Sequence, residues 1–164
     1  VNADQVEAVL ARPIAQELLT GPHLVRFAYT GLDGAPRVVP IGFLWNGTQV
    51  DIWTVPGSAK VRALAADPRV ALTIDTAGMP PRVLLLRGTA ELTTIEGIPD
   101  GYVEAAPKAV PADQLEQWEA GVRALYDSMV QIRVTPTWAT LHDFETTLPR
   151  AVQDLLDAKA AAQA

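Results

Sequence analysis

Gly31-Leu32-Asp33-Gly34-Ala35-Pro36-Arg37-Val38-Val39-Pro40-Ile41-Gly42-Phe43-Leu44-Trp45-Asn46-Gly47 sets β-forming residues between two turn signals. Asp33-Gly34 and Asn46-Gly47 supply the left-handed backbone that a tight hairpin needs, so the flanking segments fold back antiparallel. Between the turns a strand runs from Ala35 to Trp45. Arg37, Val39, Ile41, Phe43 and Trp45 share one of its faces, and Val38, Pro40, Gly42 and Leu44 the other. Pro40 lacks a ladder donor and Gly42 permits close backbone approach, which points to an edge, a bulge or a surface on which something flat is laid.

Before this run, His23 to Thr30 reads as a strand. Further back, Val6, Val9, Leu10, Ile14, Leu18 and Leu19 recur at helical spacing, and Pro13 breaks them into two short helices. After it, Gln49 to Val55 is a third strand that ends on Thr54-Val55-Pro56-Gly57-Ser58-Ala59-Lys60-Val61-Arg62. That loop opens a helix with one apolar face, Val61, Leu64 and Ala65, closed by Asp67-Pro68. Free N–H groups and the dipole at such a helix start favour an anion, while a capped helix with solvated Lys60 and Arg62 is the plainer reading.

Val70, Leu72 and Ile74 alternate inward along a strand from Arg69 to Thr76. A longer strand runs from Arg82 to about Thr94 with a bend at Gly88. Residues 96–111 read as irregular and 112–128 as a helix carrying Leu115, Trp118, Val122, Leu125 and Tyr126 on one side. Two extended pieces, Val130–Thr137 and Trp138–Glu145, precede a last helix begun by Pro149, with Val152, Leu155 and Leu156. No βαβ alternation is visible, so a mainly β fold follows: a six- to seven-stranded antiparallel barrel with flanking helices. It reads as one domain over 1–164, with N-terminal helices at 1–20, a barrel core at 23–95 that includes the loop and helix at 54–67, a helix at 112–128, closing strands at 130–145 and a C-terminal helix at 149–162.

Composition narrows the function. A net charge of −6 argues against nucleic acid as a partner. The absence of cysteine removes disulfides, thiolate metal sites and cysteine nucleophiles. The only histidines are His23 and His142, too few for a multi-histidine metal centre, and the only serines, Ser58 and Ser128, lie outside Gly-x-Ser-x-Gly. Neither a P-loop nor Gly-x-Gly-x-x-Gly occurs. With no signal-peptide pattern and no long apolar run, the chain reads as soluble and cytoplasmic, with no membrane partner. A mean hydropathy of +0.13 leaves apolar surface for a partner subunit or a flat ligand.

The order Tyr29-Thr30-Gly31-Leu32-Asp33-Gly34-Ala35-Pro36-Arg37-Val38-Val39-Pro40, Asp51-Ile52-Trp53-Thr54, Ser58-Ala59-Lys60-Val61-Arg62-Ala63-Leu64-Ala65-Ala66-Asp67-Pro68-Arg69-Val70-Ala71 and Arg87-Gly88-Thr89-Ala90-Glu91-Leu92 resembles the pyridoxamine 5'-phosphate oxidase-like split-barrel proteins. Within them it is most similar to the short flavin- or deazaflavin (F420)-dependent oxidoreductases. The resemblance implies a homodimeric FMN-binding split barrel with the cofactor at the dimer interface. Thr54, Ser58 and Lys60 would then hold the phosphate of FMN or F420, with Ala59 donating its backbone N–H. Val39, Pro40 and Ile41 would lie along the ring, Arg37 would reach the cofactor, and Trp138 would lie over it, supplied across the dimer.

An oxidoreductase is therefore expected, passing a hydride from FMN or F420 to a small organic acceptor. Its catalytic residues are unassigned, with a solvent proton, Tyr29 or His23 to complete the reduction. The acidic balance favours FMN over the polyglutamate tail of F420. The alternative is a non-catalytic protein that stores or shields the cofactor. The C-terminal Arg-x-His pair of the vitamin B6 oxidases has no counterpart beyond Leu141-His142-Asp143, which argues against that activity.

Overall fold

The computed structural model describes residues 2–162. Two helices open the chain, α1 (Ala3–Leu10) and α2 (Pro13–Thr20). Asn2 and Gln5 form a reciprocal capping box on α1, and Pro13 starts α2, where its missing N–H costs nothing. Then come β1 (Val25–Thr30), β2 (Pro36–Ile41), β3 (Leu44–Trp45), β4 (Val50–Thr54), α3 (Ala59–Ala66), β5 (Arg69–Asp75) and β6 (Val83–Glu96). The last part holds α4 (Asp100–Ala105), a 3-10 turn at Ala106–Lys108, another at Ala112–Gln114, α5 (Leu115–Leu125), β7 (Ser128–His142) and α6 (Arg150–Ala161).

All strand pairs are antiparallel and the sheet runs β2-β1-β5-β6-β7-β4-β3. The run from Ala35 to Trp45 is therefore not one strand. Its first half pairs with β1 at one edge of the sheet and its last two residues pair with β4 at the other. Gly42 and Phe43 carry the chain between those edges, so the ladder stays open while the chain itself bridges the split. Phe43 is fully buried there. Pro40 sits on an edge strand, the position at which a missing donor is tolerated.

Inward residues of the strands form one core: Val25 and Phe27, Val50 and Ile52, Leu72 and Ile74, Leu84 and Leu86, Ile132 and Val134. In β7 the residues of this main core are even at 132 and 134 but odd at 139 and 141. Gly88 pairs with Pro136 while Arg87 pairs with Trp138, which leaves Thr137 as an inserted residue. One extra residue reverses the period-two alternation, which is why residues 130–145 read as two strands in sequence, whereas the structure has one bulged strand that ends at His142.

One further expectation is corrected. Residues 96–111 are not irregular, since α4 and a 3-10 turn lie there. α6 forms as expected, with Val152, Leu155 and Leu156 on it 39%, 64% and 50% exposed.

A second, smaller core lies outside the barrel. Trp53, on the face of β4 opposite Val50 and Ile52, packs with Ile98, Ala105, Val122 and Met129. Strand β4 is thus buried on both faces, and the segment carrying α4 and α5 caps it. Lys108 fastens this cap: its Nζ donates to the carbonyls of Leu19 and Gly21 at the end of α2 and lies 4.1 Å from the centre of the Phe43 ring. A cation at a helix C-terminus meets the negative end of the dipole.

Candidate functional site

β4 ends at Thr54, and the N–H of Ser58 donates to the Val55 carbonyl at 3.1 Å, turning the chain sharply into α3. Ser58 is the extended residue before the helix, where a serine hydroxyl normally accepts from the first turn. It does not do so: its Oγ is buried with no hydrogen-bond partner. The N–H groups of Ala59 and Lys60 likewise have no backbone acceptor among the described residues.

Lys60 is half-buried, burial pushes its ammonium below its ordinary value, and it makes no salt bridge among the described residues. Arg62 is committed elsewhere, since its Nη1 donates to the Gly57 carbonyl at 3.1 Å and braces the loop. A hydroxyl without a partner, two free N–H groups and a desolvated cation thus belong to three consecutive residues at the positive end of a helix dipole. That donor set fits a phosphate.

Beside this loop lies a cavity of about 450 Å³. Pro40, Ile41 and Gly42 of the split edge form one side with Thr54 and Val55. Tyr102, Trp118, Tyr126 and Val110 of the cap form the other, with Met129 and Trp53 between. Ala105, Ala106 and Ala109 also line it, and their small side chains leave its volume open. Tyr102 and Trp118 rings pack at 5.2 Å between centroids.

The sequence-predicted residues fall into three places. Pro40, Ile41 and Thr54 line the cavity, with Ser58 and Lys60 on the turn that follows it. Arg37 and Ala59 meet at a separate recess of about 250 Å³ with Tyr29, where Arg37 is paired with Asp33 at 2.6 Å. Val39 is partly buried, packs with Ile41 against the main core and does not line the cavity. Trp138 is on β7 with Arg87 stacked over its ring at 4.5 Å, and lines none of these cavities.

Tyr102 and the cap as a cavity wall escape the sequence reading. Trp118 and Tyr126 are legible as one apolar helix side, but nothing in the local pattern says that side faces β4. The readable signal is Gly101: a Cβ there would overlap the Trp53 ring at 2.6 Å, so the helix lies directly on the indole.

The family model described as pyridoxamine 5'-phosphate oxidase matches residues 12–140. An F420 reductase is similar in structure at 25% identity and TM-score 0.58, covering 76% of this chain and 94% of that one. A FAD-binding protein from Mesorhizobium loti matches at 20% identity and TM-score 0.50, over 86% of this chain and 92% of that one. A heme storage protein from Vibrio cholerae matches at 16% identity and TM-score 0.55, over 80% and 93% respectively. No curated protein matches the chain by sequence. With more than half of its length matched and the split antiparallel barrel observed, the chain belongs to the pyridoxamine 5'-phosphate oxidase family.

Proposed function

We propose that the protein is an oxidoreductase that binds FMN or F420 and reduces a small organic acceptor, acting as a homodimer. The observation that carries the reading is the pairing of the buried, unpartnered Ser58 Oγ with the desolvated, unpaired Lys60 at the start of α3. The F420 reductase, alike over most of both chains, supports the same reading.

Lys60, Ser58 and the Ala59 N–H would hold the phosphate, and Thr54 the adjoining chain. Pro40 and Ile41 would support one face of the ring, with the backbone of Val39 beside them. The exposed edge strand β2 leaves this surface open to a second protomer, from which Trp138 would be supplied, and Arg37 would reach the cofactor by exchanging its bond to Asp33. When bound, the cofactor supplies the hydride; the protein's part is to orient the ring and keep water from it. No general acid is required of the chain, since solvent can supply the proton.

Replacing Lys60 by Ala is expected to weaken FMN or F420 binding by about 1.5–3 kcal/mol, roughly 10- to 150-fold. Fluorescence titration measures it. Unchanged affinity would place the phosphate elsewhere.

A further inference from the structure

We infer that the cap side of the cavity is a binding subsite for a neutral, planar aromatic carbonyl compound, held by the hydroxyls of Tyr102 and Tyr126. The inference deepens the proposed function and rests on it only in making this ligand the substrate. None of the residues lining the cavity is charged, so an ionic ligand would lose its water without compensation. Tyr102, Trp118 and Tyr126 offer flat faces, which favour a ring of matching shape.

The polar requirement comes from the tyrosines. Both are half-buried, both line the cavity, and neither hydroxyl has a hydrogen-bond partner among the described residues. Burial, and then the nearness of Tyr126, raise the Tyr102 phenol above its ordinary value, so Tyr102 stays a protonated donor at neutral pH. Two neighbouring phenol donors in the lining of an uncharged aromatic slot suit a carbonyl oxygen, whose two lone pairs can accept both. A volume of about 450 Å³ leaves room for two or three fused rings beside the barrel wall.

The test uses the cofactor-free chain and two compounds of nearly equal shape, 2-acetylnaphthalene and 2-ethylnaphthalene. Binding is followed through the tryptophan indole N–H signals, with those of Trp53 and Trp118 assigned by substitution with Phe. Both compounds should shift these two signals. In the double variant Tyr102→Phe with Tyr126→Phe, affinity for the ketone should fall about 10-fold while that for the hydrocarbon stays within about 2-fold. Ala109→Trp, at the cavity wall, should weaken both.

Equal losses for the two compounds, or indole signals that move with neither, would overturn the inference. FMN titrated in parallel separates the two readings. FMN binding without the ketone contrast removes the subsite and leaves the cofactor reading standing. The ketone contrast without FMN binding supports the subsite and removes FMN, but not F420, from the cofactor reading.

Discussion

Replacing Asp143 by Ala is expected to lower stability by about 3–5 kcal/mol, because it takes the acceptor from three backbone N–H groups and a hydroxyl at once. Asp143 is fully buried just after β7. Its Oδ1 accepts the N–H groups of Glu145, Thr146 and Thr147 at 3.1, 2.7 and 2.7 Å, and its Oδ2 takes Thr146 Oγ1 and the Arg12 guanidinium. One carboxylate thus holds the chain reversal after the last strand and ties it to the α1–α2 junction. Asn in its place keeps an acceptor for the N–H groups and should lose roughly half as much. Urea denaturation reads both, with the midpoint falling and the slope unchanged.

The pH dependence has a definite sign. Burial raises the Asp143 pKa, but the hydrogen bonds from Thr146, Thr147 and Glu145 outweigh it and hold the carboxyl well below its ordinary 3.8. A carboxyl depressed on folding contributes stability that is full above its unfolded value and lost as pH falls through the folded one. The wild-type chain should therefore lose stability below pH 3.8 more steeply than Asp143→Ala, and the two should converge in acid.

Gly88→Ala is the second large effect, about 2–3 kcal/mol. A Cβ at Gly88 would overlap the carbonyl oxygen of Thr135 and come within 2.9 Å of Val134 Cγ1. The first obstacle is backbone of the neighbouring strand, at the bulge where Thr137 is inserted, and it has nowhere to retreat. Gly121, within α5, gives the opposite sign. Nothing lies within 4 Å of a Cβ there, and Ala should add about 0.5–1 kcal/mol through helix propensity. Thermal unfolding of both variants checks the contrast.

Much of this architecture is legible in local pattern because the hairpins carry their own chemistry. Asp33-Gly34 and Asn46-Gly47 show where the chain reverses, and Val70, Leu72 and Ile74 show which face of β5 is inward. What local pattern does not carry is which edge a strand joins. Ala35 to Trp45 keeps one alternation throughout, yet its halves pair at opposite ends of the sheet, a fact of closure that no window of ten residues contains. In β7 the inserted Thr137 reverses the alternation, and a bulge is then indistinguishable from a break.

The site divides in the same way. Ser58 and Lys60 are readable as an anion site because a helix start acts through backbone that every helix has. Whether that site is idle depends on burial and on absent partners, such as the missing cap bond of Ser58, and only the folded chain reveals these. Tyr102 is further from reach still. Its segment has no period strong enough to show a helix, and its neighbour across the cavity, Pro40, lies 62 residues away in sequence.

The central claim, that the start of α3 holds the phosphate of a flavin-type cofactor, is tested most directly by paired titrations. The purified chain is titrated with FMN and riboflavin, and with F420 and its phosphate-free chromophore, followed by fluorescence. In at least one pair the phosphorylated member should bind about 10- to 100-fold more tightly, since it alone engages Lys60 and the free N–H groups. Equal affinity within both pairs, or no binding of any of the four at tens of micromolar, would contradict it.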